Sequence, residues 1–210
     1  RMSVHREGET VNSRALITMM ALMMGLAALT GCSDNSNELQ RLVCEVESVN
    51  EGVPLISAAV NAGGDGVVGG GDDFTPIDSV PVIFRARAYN ESMNIPSDGV
   101  YSSFIITGYD LTWTTNDPNA PATLSDFNIT DGFASVQVQL ENDAAVSVLV
   151  APYEMKQQGW FQDLANDPNN NPAFSAWAAI TFKGHVSGTD HEVEIPAGLM
   201  VNFISVVAGD

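Results

Sequence analysis

Hydrophobic and polar residues alternate along most of the chain, with a period of two that begins near Arg41. This period is typical of β-strands, whose successive side chains point to opposite faces of a sheet. Clusters of Gly, Pro, Asn and Asp separate the alternating segments, as turns do. The apolar members of the alternation are Val82, Phe84, Ala86 and Ala88; Ile105, Thr107, Tyr109, Leu111 and Trp113; Ala134, Val136, Val138 and Leu140; Val146, Val148 and Val150; Phe174, Ala176, Ala178, Ile180 and Phe182; and Val193, Ile195, Leu199, Val201 and Phe203. The pattern predicts an all-β fold, an antiparallel β-sandwich of about seven or eight strands with one solvated face on each sheet.

One connection is expected to contain a short helix. Between Glu154 and Ala165, four apolar side chains recur at a spacing that puts them on one side of a helix. These side chains are Met155, Trp160, Phe161 and Leu164.

A bulge or bend is expected near the end of the chain. Pro196-Ala197-Gly198 separates two alternating pieces, Val193 to Ile195 and Leu199 to Phe203. Proline and glycine within a strand pattern commonly mark such an irregularity.

Three connections are long. The first, from Asn61 to Ser79, has 19 residues and six glycines, and is longer than an ordinary loop. The other two echo each other as Asn116-Asp117-Pro118-Asn119-Ala120-Pro121 and Asn166-Asp167-Pro168-Asn169-Asn170-Asn171-Pro172. Both are interpreted as turns, since proline fixes φ and asparagine tolerates left-handed backbone.

The strand from Ile105 to Trp113 resembles the third strand of fibronectin type III and related immunoglobulin-like domains. Those strands carry an aromatic, an aliphatic and an aromatic residue at alternate positions, here Tyr109, Leu111 and Trp113. The resemblance implies an immunoglobulin-like sandwich over residues 41–210 and implies no activity. The Cys…Trp…Cys framework of true immunoglobulin domains is absent from the sequence.

The first 31 residues have the organisation of a secretory leader. Arg6 and Arg14 precede an apolar stretch, Ala15 to Ala28, whose length is typical of an h-region. The stretch ends in Leu29-Thr30-Gly31-Cys32, which resembles the lipobox of bacterial lipoproteins. A transmembrane helix is the alternative, since 19 uncharged residues, 15–33, could nearly span a bilayer. Its interruption by Thr30-Gly31-Cys32 favours the cleaved leader.

The lipobox resemblance implies a lipid anchor. In that family the leader is cut before the cysteine, here Cys32, whose thiol carries diacylglycerol, and several acyl chains give stable anchoring. Residues 32–40 would then form a flexible tether. By the sorting rules of the family, Ser33 favours the outer membrane of a bacterial cell envelope. Cys44 would remain the only thiol, and its apolar surroundings predict burial.

The chain is strongly acidic. It has eight Lys and Arg against 26 Asp and Glu, a net charge of −18. Removing the leader leaves five cations against 24 acids, a net charge of about −19. Nucleic-acid binding needs a basic surface and is therefore excluded. An acidic surface suits a basic partner.

A calcium site is one hypothesis for the long glycine-rich connection. Asp65, Asp72, Asp73 and Asp78 lie in or beside it, and flexible backbone with carboxylates can wrap a hard cation. The spacing does not match the EF-hand loop, and the alternative is a solvated acidic loop. No other cofactor is expected.

The remaining chemistry is sparse. His185 and His191 flank a segment that is expected to be a hairpin turn, which would set the two imidazoles opposite each other. A metal site would need a third ligand, which is not evident, so an exposed polar pair is preferred. The sequence has no Gly-x-Ser-x-Gly, His-Glu-x-x-His or Walker motif, which favours a protein that is not an enzyme.

Two functions follow as expectations. The first is a structural or protein-interaction domain that docks another envelope protein through its strand edges or loops. The second is a carbohydrate-binding module, stiffened by calcium, in which Trp160, Phe161 and Tyr101 stack on a sugar. For Trp160 and Phe161, an apolar plug over an open end of the sandwich is the alternative interpretation.

Overall fold

Eight β-strands make up most of the structure, a computed structural model that describes residues 41–61, 75–90, 94–167 and 171–207 together with Ser92 and Asn169. Short 3₁₀ turns lie at Asn50–Gly52 and Leu124–Phe127, and two short helices follow the sixth strand, α1 (Tyr153–Lys156) and α2 (Gly159–Asn166). The strands are β1 (Leu42–Val49), β2 (Leu55–Asn61), β3 (Asp78–Ala88), β4 (Ser103–Thr114), β5 (Ile129–Gln139), β6 (Asp143–Ala151), β7 (Phe174–Val186) and β8 (Glu192–Val207).

The strands form two sheets, which confirms the predicted all-β sandwich. One sheet has the order β1-β3-β6 and the other β2-β8-β7-β4-β5. Every pair of neighbours is antiparallel except β2 and β8, which run parallel, so the prediction of a purely antiparallel fold is wrong in this one pair. The parallel pair arises because the chain changes sheets between β1 and β2, at a turn where Asn50 and Glu51 have positive φ.

This strand order is compatible with an immunoglobulin-like domain. The three-stranded sheet faces a sheet in which β8, β7 and β4 are adjacent in that order. Strands G, F and C have the same arrangement in immunoglobulin sandwiches. The three residues that suggested the resemblance, Tyr109, Leu111 and Trp113, are all buried on the inner face of β4.

A bulge in β4 changes the predicted alternation. The pairing of β4 shifts register between Ile106 and Gly108 on both of its sides. Ile106 is therefore buried and Thr107 is exposed, the reverse of the predicted assignment. An extra residue in one strand moves all earlier side chains to the opposite face, which a strict period of two does not anticipate.

The core lies between the inner faces of the two sheets. Phe84 of one sheet and Phe182 of the other meet edge to face, with ring centroids 4.8 Å apart. The Tyr109 hydroxyl donates a hydrogen bond of 2.8 Å to the Leu149 carbonyl across the two sheets. Cys44 is buried, as predicted, and burial, with the charge of Glu45 adding to it, raises the pKa of its thiol to about 12. This thiol is protonated and unreactive at neutral pH.

The bulge expected at Pro196-Ala197-Gly198 is not found in the described strand. β8 runs from Glu192 to Val207, and its pairing with β7 passes through Pro196 without a register shift. β2 pairs with β8 only from Val201 onward. Proline is tolerated where a strand has a neighbour on one side only, because the missing N–H is not needed on the open side.

The expected helix between Glu154 and Ala165 is divided into α1 and α2. The break falls at Gln157–Gln158, where Gln158 has extended backbone. Three of the four apolar residues are buried and Trp160 is half-buried, so their shared inward side is confirmed.

Candidate functional site

Several predicted site residues lie outside the described part of the chain. They are the lipobox residues Leu29, Thr30, Gly31 and Cys32, and Asp65, Asp72 and Asp73 of the calcium hypothesis. The lipid anchor and the calcium site at these positions stay predictions.

Asp78, the fourth residue of the calcium hypothesis, belongs to a buried ion pair. It begins β3 and is only 8% exposed, and one of its carboxylate oxygens lies 2.7 Å from Nζ of Lys156, which is fully buried. One oxygen of this carboxylate is thus paired with an internal ammonium, and a calcium-ligand role for Asp78 stays a prediction. Among the described residues, no group of three His, Cys, Asp or Glu side chains is placed to hold a metal ion.

The ammonium of Lys156 joins three parts of the fold. Nζ donates hydrogen bonds to Oγ of Ser57, at 2.9 Å, and to the carbonyl of Ala58, at 3.0 Å, in β2. It also lies 4.6 Å from the ring centroid of Phe161 in α2. Burial lowers the pKa of Lys156, and the carboxylate of Asp78 opposes that shift. The arrangement is structural, because the side chain has no exposed surface.

The two histidines are not opposite each other. The hairpin between β7 and β8 is present, with Gly188 at φ +81°, but His185 pairs with Glu192. His191 lies outside the ladder, because the turn is longer on the β8 side than symmetry about Gly188 requires.

The proposed stacking platform is not assembled. Phe161 is fully buried, and half-buried Trp160 packs among the rings of Phe127, Phe161, Phe174 and Phe203, with centroid distances of 5.3–6.4 Å. Tyr101 lies beside Gly188, beyond the far end of β7, where the Arg41 guanidinium covers its ring at 4.9 Å. The 13 residues of β7 separate these positions by roughly 40 Å.

An exposed tryptophan on the five-stranded sheet was not singled out in the sequence. Trp177 projects from the outer face of β7, is 44% exposed, and lies directly opposite Met200 of β8, which is 39% exposed. Val53, 55% exposed, follows the turn after β1, and with Pro54 it lines a groove of about 240 Å³ against Trp177 and Met200. We call Val53, Pro54, Trp177 and Met200 the Trp177 surface. The sequence does indicate this exposure, because the alternation that places Ala176 and Ala178 inside leaves Trp177 pointing outward.

The indole of Trp177 lies directly on the backbone of Gly198. A Cβ atom at Gly198 would overlap Cζ2 and Cε2 of the indole, so only glycine leaves room for this position. A second groove, of about 310 Å³, lies beside the same ring and is lined by polar residues that include Thr114, Asn116 and Asp117. The ring thus borders two grooves, of which the second has more polar residues in its lining.

The opposite end of the same outer face is charged. Nζ of Lys183 lies 3.0 Å from Asp110 and 2.7 Å from Asp131. The backbone N–H of Asp131, followed by Lys183, lowers the pKa of Asp110. Phe133 on the edge strand β5 is 84% exposed, near this charged group, and gives a natural comparison for Trp177.

Two further findings bear on function. Among the described residues, no helix combines the length and apolar character that crossing a lipid bilayer requires. No protein-family model matches the chain, and no curated protein matches it significantly.

Proposed function

We propose that the protein is a non-catalytic, lipid-anchored component of a bacterial cell envelope whose β-sandwich docks another envelope protein through the Trp177 surface. The observation that carries the proposal is the group of large apolar side chains left exposed on one end of the outer sheet face. Protein interfaces are enriched in Trp and Met at their centres, and apolar side chains that share one groove mark such sites.

The geometry of Trp177 supports an interface anchor. A rigid aromatic ring that is fixed in place before binding loses little conformational entropy when a partner covers it. Gly198 provides that fixation from below, and Met200 borders the ring on the neighbouring strand. Residues of this kind, central and bordered by grooves, dominate the binding energy of interfaces.

Charge indicates the chemistry of the partner. Four of the five cations in residues 41–210 already face carboxylates, namely Arg85, Arg87, Lys156 and Lys183, and Arg41 covers the ring of Tyr101. Acidic residues far outnumber these five cations. A partner with an apolar centre and a basic rim would complement this surface in both respects.

The anchor is tested at Cys32. Cys32→Ser is expected to give a protein that incorporates no labelled fatty acid and leaves the membrane fraction, because the thiol that accepts the lipid is gone. Ser33→Asp is the matched control: it keeps the lipid and, by the sorting rule, moves the protein from the outer to the inner membrane. A Cys32→Ser protein that still carries label and stays in the membrane contradicts the anchor.

The docking surface is tested by cross-linking and co-purification of the full-length protein from its native envelope. A stoichiometric protein partner recovered with the unaltered chain is expected to be lost in Trp177→Ala. It is also expected to weaken in Gly198→Ala, which displaces the indole without removing it. Phe133→Ala removes an even more exposed ring from the other end of the face and should leave the complex intact.

Two outcomes contradict docking through this surface. One is a partner retained by Trp177→Ala and lost in Phe133→Ala. The other is recovery of the chain alone after cross-linking in its native envelope. Thermal melts of the three variants separate loss of binding from loss of fold. The melting temperatures of Trp177→Ala and Phe133→Ala, which remove exposed rings, are expected to match that of the unaltered protein.

A further inference from the structure

A cleft separate from the two grooves beside Trp177 lies at the end of the sandwich where β4 ends and β7 begins. It has a volume of about 360 Å³, within the range of small-molecule sites. Its walls include Pro118, Asn119 and Pro121 on one side, Asn171 and Pro172 on another, and Trp160 of α2. It shares none of the residues of the Trp177 surface.

The cleft is built from the two echoing Asn/Asp/Pro segments. They are about 50 residues apart in the sequence, yet the fold places described residues of both segments beside Trp160. In the sequence the two segments are related only by their similar composition, whereas in the structure residues of both line the same cavity.

Hydrogen bonds fix the first wall before any ligand binds. One carboxylate oxygen of Asp117 accepts from the backbone N–H of Asn119, and the other accepts from the backbone N–H of Ser175, both at 3.0 Å. The hydroxyl of Thr115 donates to the Ser175 carbonyl at 2.8 Å. Thr115 and Asp117 therefore both hold this wall against the start of β7. A wall that is fixed before binding lowers the entropic cost of binding.

The second wall is a closed turn. Asn171 donates from its backbone N–H and from its side-chain amide to the carbonyl of Asp167, at 2.9 and 3.2 Å. Pro172 follows with its fixed φ, so the entry to β7 is rigid.

Trp160 brings an unused hydrogen-bond donor to this region. Its indole Nε1 is buried and has no hydrogen-bond partner among the described residues. A buried donor without an acceptor is unfavourable, so an acceptor supplied from the cleft would stabilise the structure. Trp113 also has an unpaired indole N–H among the described residues, but it is buried in the core and does not line the cleft.

The lining selects the ligand by charge and by shape. Among the described residues that line the cleft there is no Lys, Arg, Asp or Glu, and the chain as a whole is strongly acidic, so an anion is disfavoured. The flat proline and indole faces suit the C–H faces of a ring, and the Asn119 amide with the indole N–H suits hydroxyl groups. We propose that this cleft binds a neutral pyranose sugar, either free or as the end of a glycan.

The binding test uses the full-length protein in detergent. The probes are glucose, galactose, mannose and N-acetylglucosamine, followed by a tetrasaccharide of each, with saturation-transfer NMR and tryptophan fluorescence as readouts. At least one of these sugars is expected to bind saturably. A free sugar that binds as well as its tetrasaccharide identifies a monosaccharide ligand, and tighter binding of the tetrasaccharide identifies a glycan end.

The variants locate the binding. Trp160→Phe keeps an aromatic ring but removes the indole N–H together with the pyrrole part of the ring, so affinity should fall about tenfold or more, as expected for a lost ligand hydrogen bond in a site that then holds an unpaired group. Asn119→Ala, at an exposed position, should show a similar loss without affecting the core. Trp177→Phe is the control and should bind as the unaltered protein does.

Two results would overturn the proposal. The first is no binding of any of the eight sugars. The second is binding that survives both Trp160→Phe and Asn119→Ala, because the sugar would then lie elsewhere. Neither result bears on the protein-docking surface, since Trp177 is unchanged in those variants.

Discussion

Replacing Lys156 by Met is expected to lower the free energy of unfolding by about 3–5 kcal/mol at neutral pH. The change removes the ammonium that lies 2.7 Å from Asp78 and leaves that carboxylate buried without a compensating charge. It also leaves the hydroxyl of Ser57 and the carbonyl of Ala58 without their donor. Denaturant unfolding followed by circular dichroism measures the loss.

Asp78→Ala is expected to give a loss of similar size, because it isolates the ammonium instead of the carboxylate. The double variant Lys156→Met with Asp78→Leu removes both charges and should recover most of the stability, since two apolar side chains of similar volume can replace a buried ion pair. This comparison separates the cost of an isolated charge from the value of the pair itself.

Lys183→Met is the matched control. Lys183 also contacts two carboxylates at 2.7–3.0 Å, but it lies on the outer face of the sheet, where water screens the interaction. Its replacement should change stability far less than that of Lys156. Equal losses at the two lysines would show that burial of the Lys156 pair has no energetic role.

The contrast between these lysines shows where the sequence is informative. The alternation correctly places Phe84, Leu111 and Phe182 inside, because burial on a strand depends on the nearest residues in the chain. The burial of Lys156 depends on Asp78, which is 78 residues away and reaches it only through the packing of α1 against β2 and β3. No local pattern contains that information, and Lys156 looks like an exposed residue in a polar segment.

The same reasoning explains the candidate sites. The lipobox is a linear motif and is legible in the sequence alone. The cleft at Trp160 needs two turns about 50 residues apart to meet, and only their similar composition hints at it. The Trp177 surface lies between these cases. The outward position of Trp177 follows from the period of β7, but its neighbour Met200 comes from β8 and its neighbour Val53 from the connection between β1 and β2, so the grouping requires the tertiary structure.

Phe203→Ala is expected to lower the free energy of unfolding by about 3–5 kcal/mol, the usual cost of removing a buried aromatic ring. Phe203 is fully buried in β8 and is the shared neighbour of Phe174, Trp113, Phe161 and Trp160, with centroid distances of 4.7–6.4 Å. The alanine side chain makes none of the contacts that Phe203 makes with these four rings. Because the rings come from three different elements, β4, α2 and β7, the surrounding structure has little freedom to collapse into the cavity.

Phe203→Leu and Phe133→Ala are the controls for the stability loss of Phe203→Ala. The leucine variant keeps most of the apolar volume and should lose less stability than the alanine variant. Phe133→Ala removes the same ring from a site that is 84% exposed and should change stability by less than about 0.5 kcal/mol. If Phe203→Ala were as stable as Phe133→Ala, the aromatic cluster would not support this end of the sandwich. The rigidity of Trp160, on which the sugar cleft depends, would then rest on its other ring contact with a central strand, that with Phe174 of β7.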